Sequence, residues 1–317
     1  FRSALSGATS GVLILGVNSW MQLPVGFEMV DGQVTVTDPI AIFKQPAWFY
    51  MALHSTLSCY IAVAFAVAAV YAYGILRRGV DTYTRGALLI AMAVGGVTAV
   101  LQPISGDLLA KFAFRTQPAK FAAMEGQFRT ERRAPLRIGG WPNAETLETN
   151  YAIEIPGGLS FLATHDFNAE VRGLDSIPRD EWPNVHLTHL AFQIMVGLGV
   201  LLLVLTAWFW IAWWRKGEAA LSSRRLLQAI VVGGPMGFIA LEAGWVVTEV
   251  GRQPWVIQKV LRTADAVTPA TGVAPIFYGF TLLYVLLGVT VVVLLNNLRR
   301  DANVVAPQEV EPAVVRT

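Results

Sequence analysis

Six stretches of the chain stay apolar long enough to cross a bilayer, which takes about 20 residues of helix: Ser3–Gly26, Trp48–Leu76, Gly86–Ile104, Leu187–Trp214, Leu226–Val250 and Val273–Leu295. All six read as helices, because a helix satisfies its own backbone polar groups in lipid. The predicted fold class is therefore all-α, a polytopic membrane bundle of about six transmembrane helices with one long loop. The organisation follows: membrane helices over 1–104, the loop over 105–186, membrane helices over 187–300, and a tail over 301–317 that lacks periodicity and is expected to be disordered. Within the loop, the stretch Pro118–Arg133 reads as an amphipathic helix lying on the membrane surface, with Phe121, Met124 and Phe128 on one face.

Charge gives the bundle an orientation. The basic connections are Arg77-Arg78 with Arg85, Arg215-Lys216 with Arg224-Arg225, and Arg299-Arg300; the positive-inside rule places all three in the cytoplasm and the long loop on the opposite side. Hydrophobic residues make up 54% of the chain, charged ones 15%, and mean hydropathy is +0.51, which excludes a water-soluble domain of this length. A net charge of +2 with scattered basic residues excludes a nucleic-acid surface. Cys59 is the sole cysteine, so neither a disulfide framework nor a cysteine metal cluster is available. Residue 1 is Phe and the first apolar stretch lacks the marks of a signal peptide, which suggests a chain that begins part-way through a larger protein.

Against this apolar background the ionisable residues stand out. Glu242, Trp245, Glu249 and Arg252 are spaced by three, four and three residues, so a helix lines them along one stripe, while Gly237, Gly244 and Gly251 recur on roughly the opposite side and would let another helix approach. Charged side chains at membrane depth need a partner, a cavity or a cofactor; a structural Glu249–Arg252 ion pair is the competing reading. His54 and Met195 both lie roughly 10–12 Å below the outer face of their spans, at 1.5 Å of rise per residue, and could meet across one cofactor as the His/Met axial pair of a low-spin haem. His186 and His189, at the mouth of the same span as Met195, are rivals for that iron. His165 in the loop reads as a solvated surface residue. Lys120 and Glu125 flank the apolar face of the surface helix, where a carboxylate could take protons from a lipid-soluble substrate and an ammonium could polarise its oxygen, although ordinary solvated charges would look the same. No Walker loop, dinucleotide fingerprint, nucleophile elbow or zinc motif is present.

The motifs Asn18-Ser-Trp-Met-Gln-Leu-Pro-Val-Gly26, His54 in its apolar helix, Lys120-Phe-Ala-Ala-Met-Glu125, Ala191-Phe-Gln-Ile-Met-Val196, and Glu242 through Gly-Arg-Gln-Pro-Trp255 together resemble subunit I of cytochrome bd quinol oxidase, including its cyanide-insensitive branch. The resemblance implies that His54 and Met195 ligate a low-spin haem b, and that Lys120 and Glu125 belong to a periplasmic quinol-oxidising loop. It implies that Glu249 is an iron ligand at the high-spin haem pair, that Trp245 is an electron-transfer contact between haems, and that Arg252 neutralises propionates or carboxylate charge. These last three would form the catalytic centre. Gln193 occupies a cofactor-binding position where some members carry arginine. The cofactors implied are low-spin haem b, high-spin haem b, and haem d or a second high-spin haem b, with quinol as substrate and oxygen reduced to water. The implied setting is a bacterial cytoplasmic (inner) membrane, with subunit II and a small single-helix subunit as partners. The family has nine spans, and the resemblance sets this chain's first span at the fourth of them. The haem-ligating histidine of the first family helix and the acidic residues of the third would then lie outside this sequence, and this chain alone would not reduce oxygen. A haem-binding electron-transfer protein without an oxygen site, and a transporter whose Glu249–Arg252 face lines a substrate path, are the alternatives.

Overall fold

The computed structural model describes residues 2–30, 33–36 and 38–304. The chain forms two units, Phe1–Ala266 and Val267–Thr317. The first contains helices α1 (Arg2–Gln22), α2 (Ala41–Lys44), α3 (Pro46–Arg78), α4 (Thr82–Thr116), α5 (Pro118–Glu125), α6 (Gly158–Thr164), α7 (Val185–Lys216), α8 (Arg224–Gly233) and α9 (Met236–Val250). The second contains α10 (Val273–Val304), whose described side chains are all exposed.

Local chemistry sets several helix ends. Pro46 and Pro118 open α3 and α5 at the position where a missing N–H costs nothing. Asp81 caps α4, its carboxylate accepting from the backbone N–H of Tyr83 at 2.8 Å and of Thr84 at 2.9 Å. The core lies where α3, α4, α7 and α8 meet, around Phe65, Leu88, Met92, Leu202, Phe209 and Ile230. Small residues let these helices close up: a Cβ on Gly95 would stand 3.2 Å from the Phe65 ring, and one on Gly96 would stand 2.9 Å from Trp210 Nε1.

The all-α polytopic bundle stands, with adjustments to several of the expected elements. Five segments are long and apolar enough to span a membrane, namely Pro46–Arg78, Thr82–Thr116, Val185–Ser222, Arg224–Val250 and Val273–Leu298. The sixth expected span is a helix of 21 residues, α1, but Ser, Thr, Asn and Gln dilute its apolar character and it is not among the five. The expected single helix over Leu226–Val250 is interrupted at Gly233-Gly234-Pro235, where two glycines and a ring without an N–H break the backbone ladder between α8 and α9. The long loop starts later than Ile104, because α4 runs on through Pro103 to Thr116. It also carries short antiparallel strand pairs, Leu136–Ile138 with Ile153–Ile155 and Trp141–Asn143 with Glu148–Asn150.

The helix expected over Pro118–Arg133 stops at Glu125, where Gly126 takes a left-handed φ of 63° and turns the chain. Nor is α5 a surface helix. Phe121, Met124 and Phe128 are buried, and so are Lys120 and Glu125, because α4 and α7 pack on one side and the remainder of the loop covers the other. Of the tail expected to be disordered, Asp301–Val304 continue α10 and 305–317 lie outside the described residues.

Candidate functional site

The glycine face of α9 packs as its spacing suggests. A Cβ at Gly237 would stand 2.6 Å from the Ala62 backbone on α3, one at Gly244 would stand 3.1 Å from Met195 Sδ on α7, and one at Gly251 would stand 3.0 Å from Lys120 Cγ on α5. Three neighbours are thereby brought against one helix by missing side chains. After Val250 the chain turns and carries Arg252 back over the helix end, where its Nη2 donates to Glu249 Oε2 at 2.5 Å. Asn18 on α1 donates through Nδ2 to the other oxygen, Oε1, at 2.7 Å, so both carboxylate oxygens are held. Arg252 is only 6% exposed, yet its Nε and Nη1 have no hydrogen-bond partner among the described residues. A buried guanidinium with two idle donors is suited to an anionic group.

Lys120 completes this cluster from the loop side. It is buried, and its Nζ donates to Gln22 Oε1 of α1. Its pKa is lowered to about 7, chiefly by burial and next by the Arg252 charge, with the Glu249 charge opposing both. Glu125, at the other end of α5, is 5% exposed; burial pushes its pKa up to about 7 against the pull of Arg137. Its Oε2 has no partner among the described residues.

His189 and Gln193 on α7 tie this loop down. His189 is fully buried, with Nδ1 2.8 Å from the Met124 carbonyl and Nε2 3.0 Å from the Gly139 carbonyl. Gln193 accepts from the Gly139 N–H at 3.0 Å and donates to the Arg137 carbonyl at 3.1 Å. Both side chains expected near a cofactor are thus engaged with loop backbone, and His189 has no ring nitrogen free to rival another ligand. His186 stacks edge-on against Trp141, with ring centroids 4.0 Å apart. His165 accepts from Lys111 Nζ at 2.9 Å.

His54 and Met195 have separate neighbours. His54 Nδ1 lies 3.0 Å from Ser105 Oγ, and the Gln102 amide lies 3.2 Å from Nε2, both partners being on α4. Met195 lies against Gly244 of α9. Trp245 is 37% exposed on the side of α9 away from the glycines, and Glu242 beside it is exposed. Of the stripe read from the sequence, then, Glu249 and Arg252 come together, Lys120 joins them, and Glu242 and Trp245 face outward. Sequence reasoning missed the role of Gln22 and passed over Asn18 as a partner of Glu249. The available signal was their spacing of four, which puts two carboxamides on one face of the last turns of α1.

Residues 1–303 match the sequence profile of the family described as Cytochrome bd terminal oxidase subunit I. This chain belongs to that family. A Bacillus subtilis (strain 168) protein described as a cytochrome bd menaquinol oxidase subunit I is 38% identical over 299 residues, covering 93% of this chain and 67% of the relative. The cytochrome bd ubiquinol oxidase subunit 1 of the same organism is 29% identical over 90% of this chain and 63% of its own length. The bd oxidase structure from Geobacillus thermodenitrificans superposes with a TM-score of 0.85 at 35% identity, covering 94% of this chain and 68% of that one. The chain thus spans about two thirds of the length of the relatives it matches.

With its apolar helices, this cytochrome bd subunit I family member is a multi-pass protein of the bacterial inner membrane. The family implies haem, and the residues present fit one. If His54 donates Nδ1–H to Ser105, its Nε2 lone pair accepts from the Gln102 amide, which an iron would have to displace; Met195 offers a thioether; and Arg252 offers two nitrogens without partners among the described residues to a carboxylate.

Proposed function

We propose that this chain is the quinol-oxidising, haem-carrying part of a bd-type terminal oxidase subunit I, working with subunit II and a small single-helix subunit to reduce oxygen to water. The loop over 105–186 would face the periplasm, opposite the basic connections. The observation that carries this reading is the pairing, on one short buried helix, of a lysine and a glutamate whose pKa values are both brought to about 7, from opposite directions.

Near neutral pH both groups can exchange protons, because burial moves both pKa values to about 7. Glu125, whose Oε2 has no partner among the described residues, takes a proton from a quinol hydroxyl, and the Lys120 ammonium donates a hydrogen bond that holds the quinol oxygen equally before and during that transfer. The loop stays in register because His189 and Gln193 clamp its backbone to α7. His54 and Met195 would hold a low-spin haem b, Glu249 would ligate a high-spin haem b, Arg252 would pair with propionate, and Trp245 would contact the high-spin pair, whose other member is haem d or a second haem b. When bound, these groups supply the electron transfer and the oxygen chemistry. Ser105 sets the tautomer of His54, and Asn18 orients Glu249. Membership of the family leaves the transporter reading without support.

The test is Glu125→Gln in membranes carrying the complete oxidase. Wild-type quinol oxidation should rise with pH to a maximum near 7 and then fall, because the Glu125 carboxylate that accepts the proton forms as pH climbs while the Lys120 ammonium is lost as it climbs further. The variant should lose that rise and slow by about a hundredfold or more, with haem content unchanged. Wild-type turnover and pH dependence in Glu125→Gln would remove the loop from the reaction.

A further inference from the structure

Gln22 ends α1 at 1% exposure, far in sequence from the loop, yet it meets both halves of the site. Its carboxamide oxygen accepts from Lys120 Nζ, and its Nε2 lies 3.4 Å from the Thr248 carbonyl, one residue before Glu249. Among the described residues it is the only hydrogen-bond acceptor that the Lys120 ammonium reaches. One turn earlier on the same face, Asn18 holds Glu249. Thus α1 presents two carboxamides, one to the cation of the loop and one to the carboxylate of α9. Gly251 leaves room for the lysine stem between them.

We propose that Gln22 is a positioning residue for quinol oxidation, its carboxamide oxygen fixing the Lys120 ammonium beside the Glu249–Arg252 pair. This rests on the assignment of Lys120 to the quinol site. A four-carbon stem turns freely about its single bonds, and a buried ammonium without an acceptor is both unaimed and poorly stabilised. Among the described residues, the charged groups that act on Lys120 from the packed elements are Arg252 and Glu249, and its partner from α1 is the carboxamide of Gln22.

The experiment compares Gln22→Leu, Gln22→Glu and Lys120→Met in the assembled oxidase, reading quinol KM and kcat together with the reduced-minus-oxidised haem spectrum. Leu keeps the volume and loses the acceptor, whereas Glu keeps an acceptor at the same reach. Gln22→Leu should raise KM about tenfold or more, the effect of losing one hydrogen bond to a charged group. Its kcat should stay within about twofold and its spectrum unchanged, and Gln22→Glu should restore KM. Gln22→Ala carries the same expectation as Leu and replaces it if Leu does not assemble. A wild-type KM in Gln22→Leu alongside a raised one in Lys120→Met overturns the proposal and leaves the quinol site standing. An equal defect in Leu and Glu overturns it as well, since packing would then be what matters. A wild-type KM in Lys120→Met removes the quinol-site assignment and this proposal with it.

Discussion

Met195 shows how much depends on a single atom. Its sulfur rests against Gly244, a packing contact that any flexible apolar side chain could make, and its chemistry differs from that of leucine only through the thioether. Met195→Leu conserves volume and cannot ligate iron, so the low-spin haem b band should disappear while the helical circular dichroism of the purified protein stays the same. An unaltered band would move the axial ligand elsewhere. His189 would be a poor replacement, because both its nitrogens already face loop carbonyls. At this scale the residue types were legible in the sequence: a histidine, a methionine and a glutamate inside apolar runs are conspicuous. Their partners were not, since Ser105 for His54 and Asn18 for Glu249 come from other helices.

Among the elements, α9 is the one whose pattern was read most completely, because its glycines recur every seven residues and each meets a different neighbour. Gly237 has the closest approach to another helix, at the backbone of Ala62, and backbone cannot rotate out of the way. Gly237→Ala should therefore force α9 away from α3 and cost about 1–3 kcal/mol, seen as a lower thermal midpoint of the purified protein; an unchanged midpoint would mean that the two helices do not pack this closely. The helix α5 is the opposite case. Phe121, Met124 and Phe128 are all buried, but in three separate clusters rather than along one helical stripe, since Phe128 lies past the end of α5, and an apolar spacing does not say whether lipid or protein covers them. Here protein covers them, along with Lys120 and Glu125, and that additional burial is what brings both ionisable groups to about 7.

For the whole molecule the alternation of basic and non-basic connections defines two sides. Glu145 in the long loop and Ser222 between α7 and α8 are both exposed and should lie on opposite faces of the membrane. With Cys59→Ser removing the native thiol, a membrane-impermeant maleimide applied to intact cells should label Glu145→Cys and spare Ser222→Cys until the cells are opened. Labelling of both, or the reverse pattern, would invert or break the proposed orientation.

The positions of the apolar helices, the residues out of place within them and the family motifs are properties of local sequence, because burial in lipid acts on each segment separately. Tertiary structure alone decided that Lys120 meets Gln22 across 98 residues of chain and that His189 and Gln193 serve the loop. Hydropathy fixes which groups leave water. The partners they find there depend on how distant segments pack, and the sequence of one segment carries no record of that.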